Sequence, residues 1–596
     1  MAIPELHACF GFELLGMCKY DPQAPSPTYF TIGDAVAALA FTLAVQQFLK
    51  PIYLFRLRAM GIRFSYLVCA IFTGALFTIV AAAVPSLAFL RGTTLGYALN
   101  WEISGGIIIG LAYAIVAIIS LRPATVTNCN IESFTRAGTE LLSQATDEDR
   151  LSFANDVLSG LNIQKLLQFA AEHERADWHA TMIEFEKLRE QGREGEGVRG
   201  RPPISAFYAF AHRHELELAY YAWHFLQMLS DRDFCRVVIT RHSWGFLLAI
   251  NSLTKLNTHT EAANSFVQAV AWQALVQDDG MLAREDGYEG FGRSREFARE
   301  FFGNHEMRAF DPLGGISSIG VGAPNVGFVS RLNIAAALMV SAEVTHRHFW
   351  DSHSTMSVAS IYERICHNVS FERSENKHPA YLFKLGQGIA ELSNIVAASL
   401  EESDAQTHNM LFEENLEKYR SDTVGRIARL VSESLTCVSN RFQGIDDPAW
   451  SLVWDIWNEM FPRFGDVPVG LSPIQQAVAI KLIEKLKDNM NGYYPTLSRV
   501  LLTTVGPYDT KAPEKKGSAA AILKDAVYFE LKRLPELYKK SPEKVPERLP
   551  PNVTYHHATR SLTHTYSDGQ QVKTKLSNLY INPVDLLAER NLRRRS

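Results

Sequence analysis

Histidines and carboxylates gather in one stretch of this 596-residue chain, "SAEVTHRHFWDSHS", which holds Glu343, His346, His348, Asp351 and His353. A Glu and a His three residues apart on a helix share one face, and carboxylate-bridged di-iron bundles use that pair twice. Glu343, His346 and His348 are therefore the candidate metal ligands. The second pair that a dinuclear site needs, Glu375 and His378, runs straight into Pro379, which reads as a turn or helix end and not as a bundle interior. "AHRHELELAYYAWH" brings His212, His214, Glu215 and His224 together, but as His-Glu-x-x-Leu, so the second zinc ligand of a metalloprotease is missing. His305-Glu306 fails in the same way. Asp278-Asp279 and Glu285-Asp286 carry enough acid for a cation, with a spacing unlike an EF-hand loop. The glycines of "GGISSIGVGAPNVG" lack the Lys-Ser/Thr of a phosphate loop, and no G-x-S-x-G occurs. No catalytic residue and no cofactor follows from these motifs.

The elements that would position such residues divide sharply by polarity. "IGDAVAALAFTLAVQQFL" (32–49), "YLVCAIFTGALFTIVAAAVPSLAFL" (66–90) and "SGGIIIGLAYAIVAIISL" (104–121) are nearly free of charge. A bilayer core of roughly 30 Å takes about 20 apolar residues as helix, so the expectation is a three-helix transmembrane domain over 32–121. Asp34, Gln46 and Gln47 are the polar groups of the first span; such groups face protein or water, which is a hint of a water-lined path, or they mark the interfacial ends of a short helix. Gly106 and Gly110 form a GxxxG pair, which favours close packing on the second span or on another subunit.

Orientation follows from the flanks. Lys50, Arg56, Arg58 and Arg63 crowd the expected loop between the first two spans, which carries no acid. The positive-inside rule puts that segment in the cytoplasm, the N-terminus outside and everything after Arg122 inside, at the inner (plasma) membrane. No cleavable signal peptide is expected, because the first residues lack a basic region and Glu13 breaks the short apolar run. The outer segment 1–31 holds Cys9 and Cys18, which would form a disulfide in an oxidising compartment and are otherwise two free thiols. Cys129, Cys235, Cys366 and Cys437 read as reduced, buried cytosolic thiols.

The remaining chain is polar and helically patterned. Residues 122–188 form a helical juxtamembrane region in which Thr146 and Asp149 resemble a capping box. A charged, Gly-rich linker follows at 189–203, then an α-helical cytosolic domain at 204–502, interrupted by a Gly-rich insertion at 278–328. A linker and an extended Pro-rich segment occupy 503–551. In 552–596 a β-hairpin around Asp568-Gly569 precedes a basic tail, read as a solvated end or as attracted to anionic lipid. The fold class is mainly α, with three transmembrane helices, a large helical cytosolic region and a small C-terminal β-hairpin.

A net charge of -5 carries no nucleic-acid footprint. The expected partners are the lipid bilayer, further copies in a homo-oligomer, and a cytosolic ligand or protein. The leading reading is an integral membrane protein whose cytosolic domain senses or binds a partner and couples it to an oligomeric transmembrane unit, in one form a regulated pore. The alternative is a membrane-tethered, metal-dependent enzyme with its site in 278–353, and a third is a scaffold that recruits partners to the membrane.

Overall fold

A computed structural model of the protein describes residues 30–83, 98–159, 162–174, 213–254, 260–286, 295–304, 310–317, 325–345, 353–371, 379–404, 423–436, 449–461, 471–488, 497–505, 519–550, 552–565 and 569–579. It is mostly helical, with one three-stranded antiparallel sheet near the C-terminal end. Its contacts divide the chain into two units, Met1–Phe266 and Val267–Ser596.

In the first unit α1 (Ile32–Phe48) starts on a capping box: the Asp34 amide donates to the Thr31 hydroxyl, and the Thr31 amide donates back to the Asp34 carboxylate at 2.7 Å. The basic segment expected as a loop contains a helix, α2 (Pro51–Ala59). Pro51 suits the first helical position, where its missing N–H costs nothing, and Gly61 closes the other end at φ +75°. Then come α3 (Phe64–Ala83) and α4 (Ala98–Leu121), the latter starting six residues before the expected span; residues 84–97 lie outside the described ones.

Among the described residues three helices are long and apolar enough to cross a membrane, over Phe64–Ala81, Asn100–Leu121 and Val326–Glu343. This set differs from the expected one. The first expected span offers a shorter apolar run, Ile32–Val45, while Val326–Glu343 comes from the polar body. Burial separates them: 61% of the Val326–Glu343 window is buried, against 28% and 17% for the other two. That helix also carries buried Arg331 and Glu343, so it reads as a core helix.

α3 and α4 approach most closely at Gly74 and Gly105. A Cβ on Gly74 would stand 2.6 Å from Ile109 Cδ1, and one on Gly105 would stand 2.8 Å from the Gly74 carbonyl oxygen. Leu67, Ile71 and Ile109 form the centre, with Leu39 of α1 and Tyr113 and Val116 of α4 packed on them. The outward faces are apolar, through Val36, Phe41 and Leu43, Phe72, Leu76 and Ile79, and Ile107, Leu111 and Ile118.

Beyond α4 the first unit continues with α5 (Ile131–Gln144), α6 (Asp147–Val157), α7 (162–174), α8 (Arg213–Met228), α9 (Arg232–Arg241) and α10 (Ser243–Thr254). α6 begins as predicted, with the Thr146 hydroxyl donating to Asp149 at 2.8 Å and accepting from the Asp149 amide. The core is a run of phenylalanines. Phe153 meets Phe225 at 6.2 Å and Phe234 at 5.8 Å, and α2 inserts Phe55 edge-on against Phe134 at 5.3 Å and Phe153 at 4.9 Å.

α11 (Glu261–Val276) leads into the second unit. The 278–328 insertion is more structured than a loop: α12 (Met281–Asp286), α13 (Glu296–Ala298) running into a π-helical turn at Arg299–Gly303, and a 3₁₀ turn at Gly314–Ser317. Its acids explain this. Glu285 accepts from the Phe297 and Ala298 amides at 2.8 and 3.0 Å, satisfying the start of α13. The helices α14 (Val326–Thr345), α15 (His353–Phe371), α16 (Pro379–Asp404), α17 (423–436), α18 (Ala449–Met460) and α19 (Leu471–Asp488) build the main body. On α16, Gly386 lies against α18 and Gly388 against α14. A Cβ on them would come 3.2 Å from the Leu452 backbone and 2.1 Å from Asn333 Oδ1.

After α20 (Leu497–Val505), α21 (Ala519–Lys532) and α22 (Leu534–Lys540), the Pro-rich stretch is not extended as expected. Pro542 and Pro546 each open a 3₁₀ turn, again at a position where a missing N–H is harmless. The predicted hairpin is β2 (Ser561–Thr565) with β3 (Gln571–Lys575), and Gly569 in the connection takes φ +82°. An unpredicted strand, β1 (Val553–His556), pairs with the other edge of β2.

Candidate functional site at the foot of the apolar bundle

Of the sequence-predicted metal ligands only Glu343 is among the described residues. Glu343 is buried on α14 and its Oε2 accepts from the Thr355 amide at 2.9 Å and hydroxyl at 2.8 Å, so it caps the start of α15. His346 and His348 lie outside the described residues. Among the described residues no three His, Cys, Asp or Glu side chains gather as a metal site. The acids of the insertion are engaged as well: Asp278 accepts from buried Arg331 at 2.9 Å and Asp286 from the Ser330 hydroxyl at 2.9 Å.

In the bundle, Asp34 is occupied by the α1 capping box. Gln47 is exposed, and the Gln46 side chain is outside the described set, as are Cys9 and Cys18. The glycines at the α3–α4 crossing are Gly74 and Gly105. A Cβ on Gly106 would stand 3.7 Å from the Phe30 ring, and one on Gly110 would meet nothing within 4 Å. A polar contact missed in the sequence links α1 to α4: the hydroxyls of buried Thr42 and half-buried Tyr113 are hydrogen-bonded to each other, and each reaches the Ala38 carbonyl, at 2.8 and 2.7 Å. Cys235 and Cys366 are buried as expected of structural thiols, whereas Cys129 is exposed.

The denser constellation sits where the bundle meets the helical body. Arg56 of α2 donates from Nε to Asp156 Oδ2 at 2.8 Å and from Nη2 to Oδ1 at 3.2 Å. Its Nη1 donates to the Ser120 carbonyl at 3.2 Å, one of the last carbonyls of α4, which no turn of helix follows to satisfy. A cation there also meets the negative end of the α4 dipole. Asp156 is 1% exposed at its side chain. Burial pushes its carboxyl above the ordinary value, and the Arg56 hydrogen bonds and charge work against that rise.

The exit from α4 is fixed by the same neighbourhood. The Ala124 amide donates to Asp156 at 3.3 Å, Asn162 brackets the strand by donating to the Ala124 carbonyl at 2.7 Å and accepting from the Val126 amide at 2.8 Å, and Lys165 donates to the Val126 carbonyl at 3.0 Å. Asn130 donates to the Thr125 carbonyl at 2.8 Å and accepts from the Thr127 amide at 2.7 Å. Two outer pairs complete it: Arg58 with Glu140, and Lys50 with Glu148 at 3.5 Å. So the basic residues that set the expected orientation each pair with an acid of α5 or α6, apart from Arg63. Sequence reasoning found the cations and missed their partners, because ion pairs spanning 82 and 100 residues leave no local pattern. Chemically the arrangement holds position: nothing in it couples a nucleophile to a base.

Compared with protein-family models, curated proteins and solved structures, the chain matches none of them.

Proposed function

We propose that this is an integral membrane protein in which α1, α3 and α4 span the bilayer and the Arg56–Asp156 junction couples them to a helical body that binds a cytosolic partner. The single observation that carries this reading is the junction itself. A passive anchor needs only a linker, whereas here α2 docks in the core of the body and grips the end of α4. The outward apolar faces of α1, α3 and α4 support a lipid surround. The pairing of Lys50, Arg56 and Arg58 with acids after α4 supports placing both segments on the same, cytoplasmic, side of the inner membrane, with the N-terminus outside.

The bundle centre of a single copy is apolar, so a regulated pore would have to form between copies. The mass of full-length protein in mild detergent tests this. A defined homo-oligomer is the expected result, and a monomer would overturn the oligomeric unit and the pore with it. Retention in the bilayer through an alkaline carbonate wash tests the spans, and loss into the supernatant would overturn them.

A further inference from the structure

We propose that the outer face of the C-terminal sheet docks on an anionic phospholipid surface. The register places Thr554, Thr563 and Lys573 side by side across the three strands, with His556, Ser561 and Lys575 in the next row of that face. Thr554, His556, Gln571, Lys573 and Lys575 are exposed around buried Ser561, so both outer strands of this face are uncovered. The opposite face is packed: Leu562 is fully buried, and Tyr555 lies 6.0 Å from Tyr538 of α22.

The exposed side chains of this face offer donors and carry no carboxylate. Residues 552–579 contain Arg560, Lys573 and Lys575 against a single acid, Asp568, which lies outside the described residues, in a chain whose net charge is -5. Arg560, exposed in the β1–β2 turn, holds φ +46°, a conformation that glycine or asparagine adopts more cheaply. Threonine hydroxyls between the cations supply donors to phosphate oxygens without adding charge.

The magnitude favours one occupant. Each Lys or Arg at an anionic headgroup layer raises the bound population about fivefold, so three give about a hundredfold. That is too little to capture a dilute soluble polyanion. It is enough to hold a module that its own chain already tethers near the bilayer, where the effective concentration is high. The inference therefore rests on the membrane reading above, and its test keeps the two apart.

Full-length protein is reconstituted into nanodiscs of phosphatidylcholine alone or mixed with phosphatidylglycerol, and lysine acetylation is followed by mass spectrometry. Lys573 and Lys575 should react about fivefold more slowly, relative to exposed Lys532, only in the anionic discs. High salt should restore their rate. Thr554→Glu/Gln571→Glu, which adds acid to the face and leaves both reporters in place, should abolish the difference. If hydrogen exchange shows that this variant has lost its sheet, His556→Glu carries the same comparison. Equal rates in the two bilayers overturn the proposal, as does protection that appears only when a single-stranded oligonucleotide is added. Failure of the protein to stay in the disc through a carbonate wash instead overturns the membrane reading.

Discussion

Arg56 and Asp156 stand 100 residues apart in the chain, yet their side chains meet through two hydrogen bonds, at 2.8 and 3.2 Å. The pair is nearly closed to solvent, with side-chain exposures of 14% and 1%. Removing one member of such a pair leaves an uncompensated buried charge, so Asp156→Ala or Arg56→Met should each cost about 3–5 kcal/mol. The double variant Arg56→Met/Asp156→Leu should cost clearly less than the sum. Hydrogen exchange of 124–157 in the reconstituted protein measures it, and additive effects would show that the two groups do not act as a pair.

Gly138 on α5 marks a second close approach, since a Cβ there would stand 2.5 Å from Phe225 Cε2. Alanine gains about 1 kcal/mol over glycine in helix propensity. Forcing a methyl against a buried ring costs about 1–3 kcal/mol. Gly138→Ala should therefore be neutral to destabilising in the wild-type chain and stabilising in a Phe225→Leu background, read as opposite shifts in Tm.

Local signals told most of the fold class and little of the site. Thr146 with Asp149 and the Asp568-Gly569 pair are sequence-local devices: α6 starts at Thr146, and Gly569 stands in the connection between β2 and β3. Pro51 and Gly61 bracket α2 just as legibly, but the cationic charge of the segment drew the reading toward a loop. Asp34 looked like a polar group in a span because its role depends on where α1 begins: at the third helical residue it is a cap. Gly106 and Gly110 matched a motif, whereas Gly74 and Gly105, on different helices, are set by the α3–α4 crossing, which no single segment encodes. Glu343 shares its metal reading with His346 and His348, which lie outside the described residues, and its capping contact with Thr355 across 12 residues leaves no local pattern.

The open position of Gly110 yields a prediction about assembly. Gly105→Leu should disrupt the bundle itself, because its side chain would meet the Gly74 backbone. At Gly110 an added Cβ has no atom within 4 Å in the copy, so Gly110→Leu should leave the monomer fold unaffected. If copies associate through this face of α4, Gly110→Leu should shift the detergent-solubilised protein from oligomer to monomer. An unchanged mass would place the contact elsewhere.

Acid should weaken the fold through histidine. Burial holds His242 and His564 below their ordinary value of 6.5. The unfolded chain then binds protons first, so the stability these neutral rings contribute is full above about pH 6.5 and is lost as the pH falls through their lowered folded values. The imidazole of His242 lies against Gly245, where a Cβ would come 2.2 Å from Nε2. His242→Gln should flatten the pH dependence of Tm in the window just below 6.5. An unchanged slope would assign the acid sensitivity to other groups.

Phe55 decides whether the bundle and the body are separable. It lies between α1 and α3 in the chain, yet the residue is 2% exposed and its ring contacts Phe134 and Phe153, which belong to the body. Truncating a buried phenylalanine costs about 3–5 kcal/mol. That loss should appear in α5 and α6 and not at the α3–α4 crossing, where Gly74 and Gly105 carry the packing. In full-length Phe55→Ala, hydrogen exchange should accelerate across 131–157 and stay unchanged in 98–113. Acceleration confined to α2 would mean that the ring merely rests on the body, and the junction would then be an anchor without coupling.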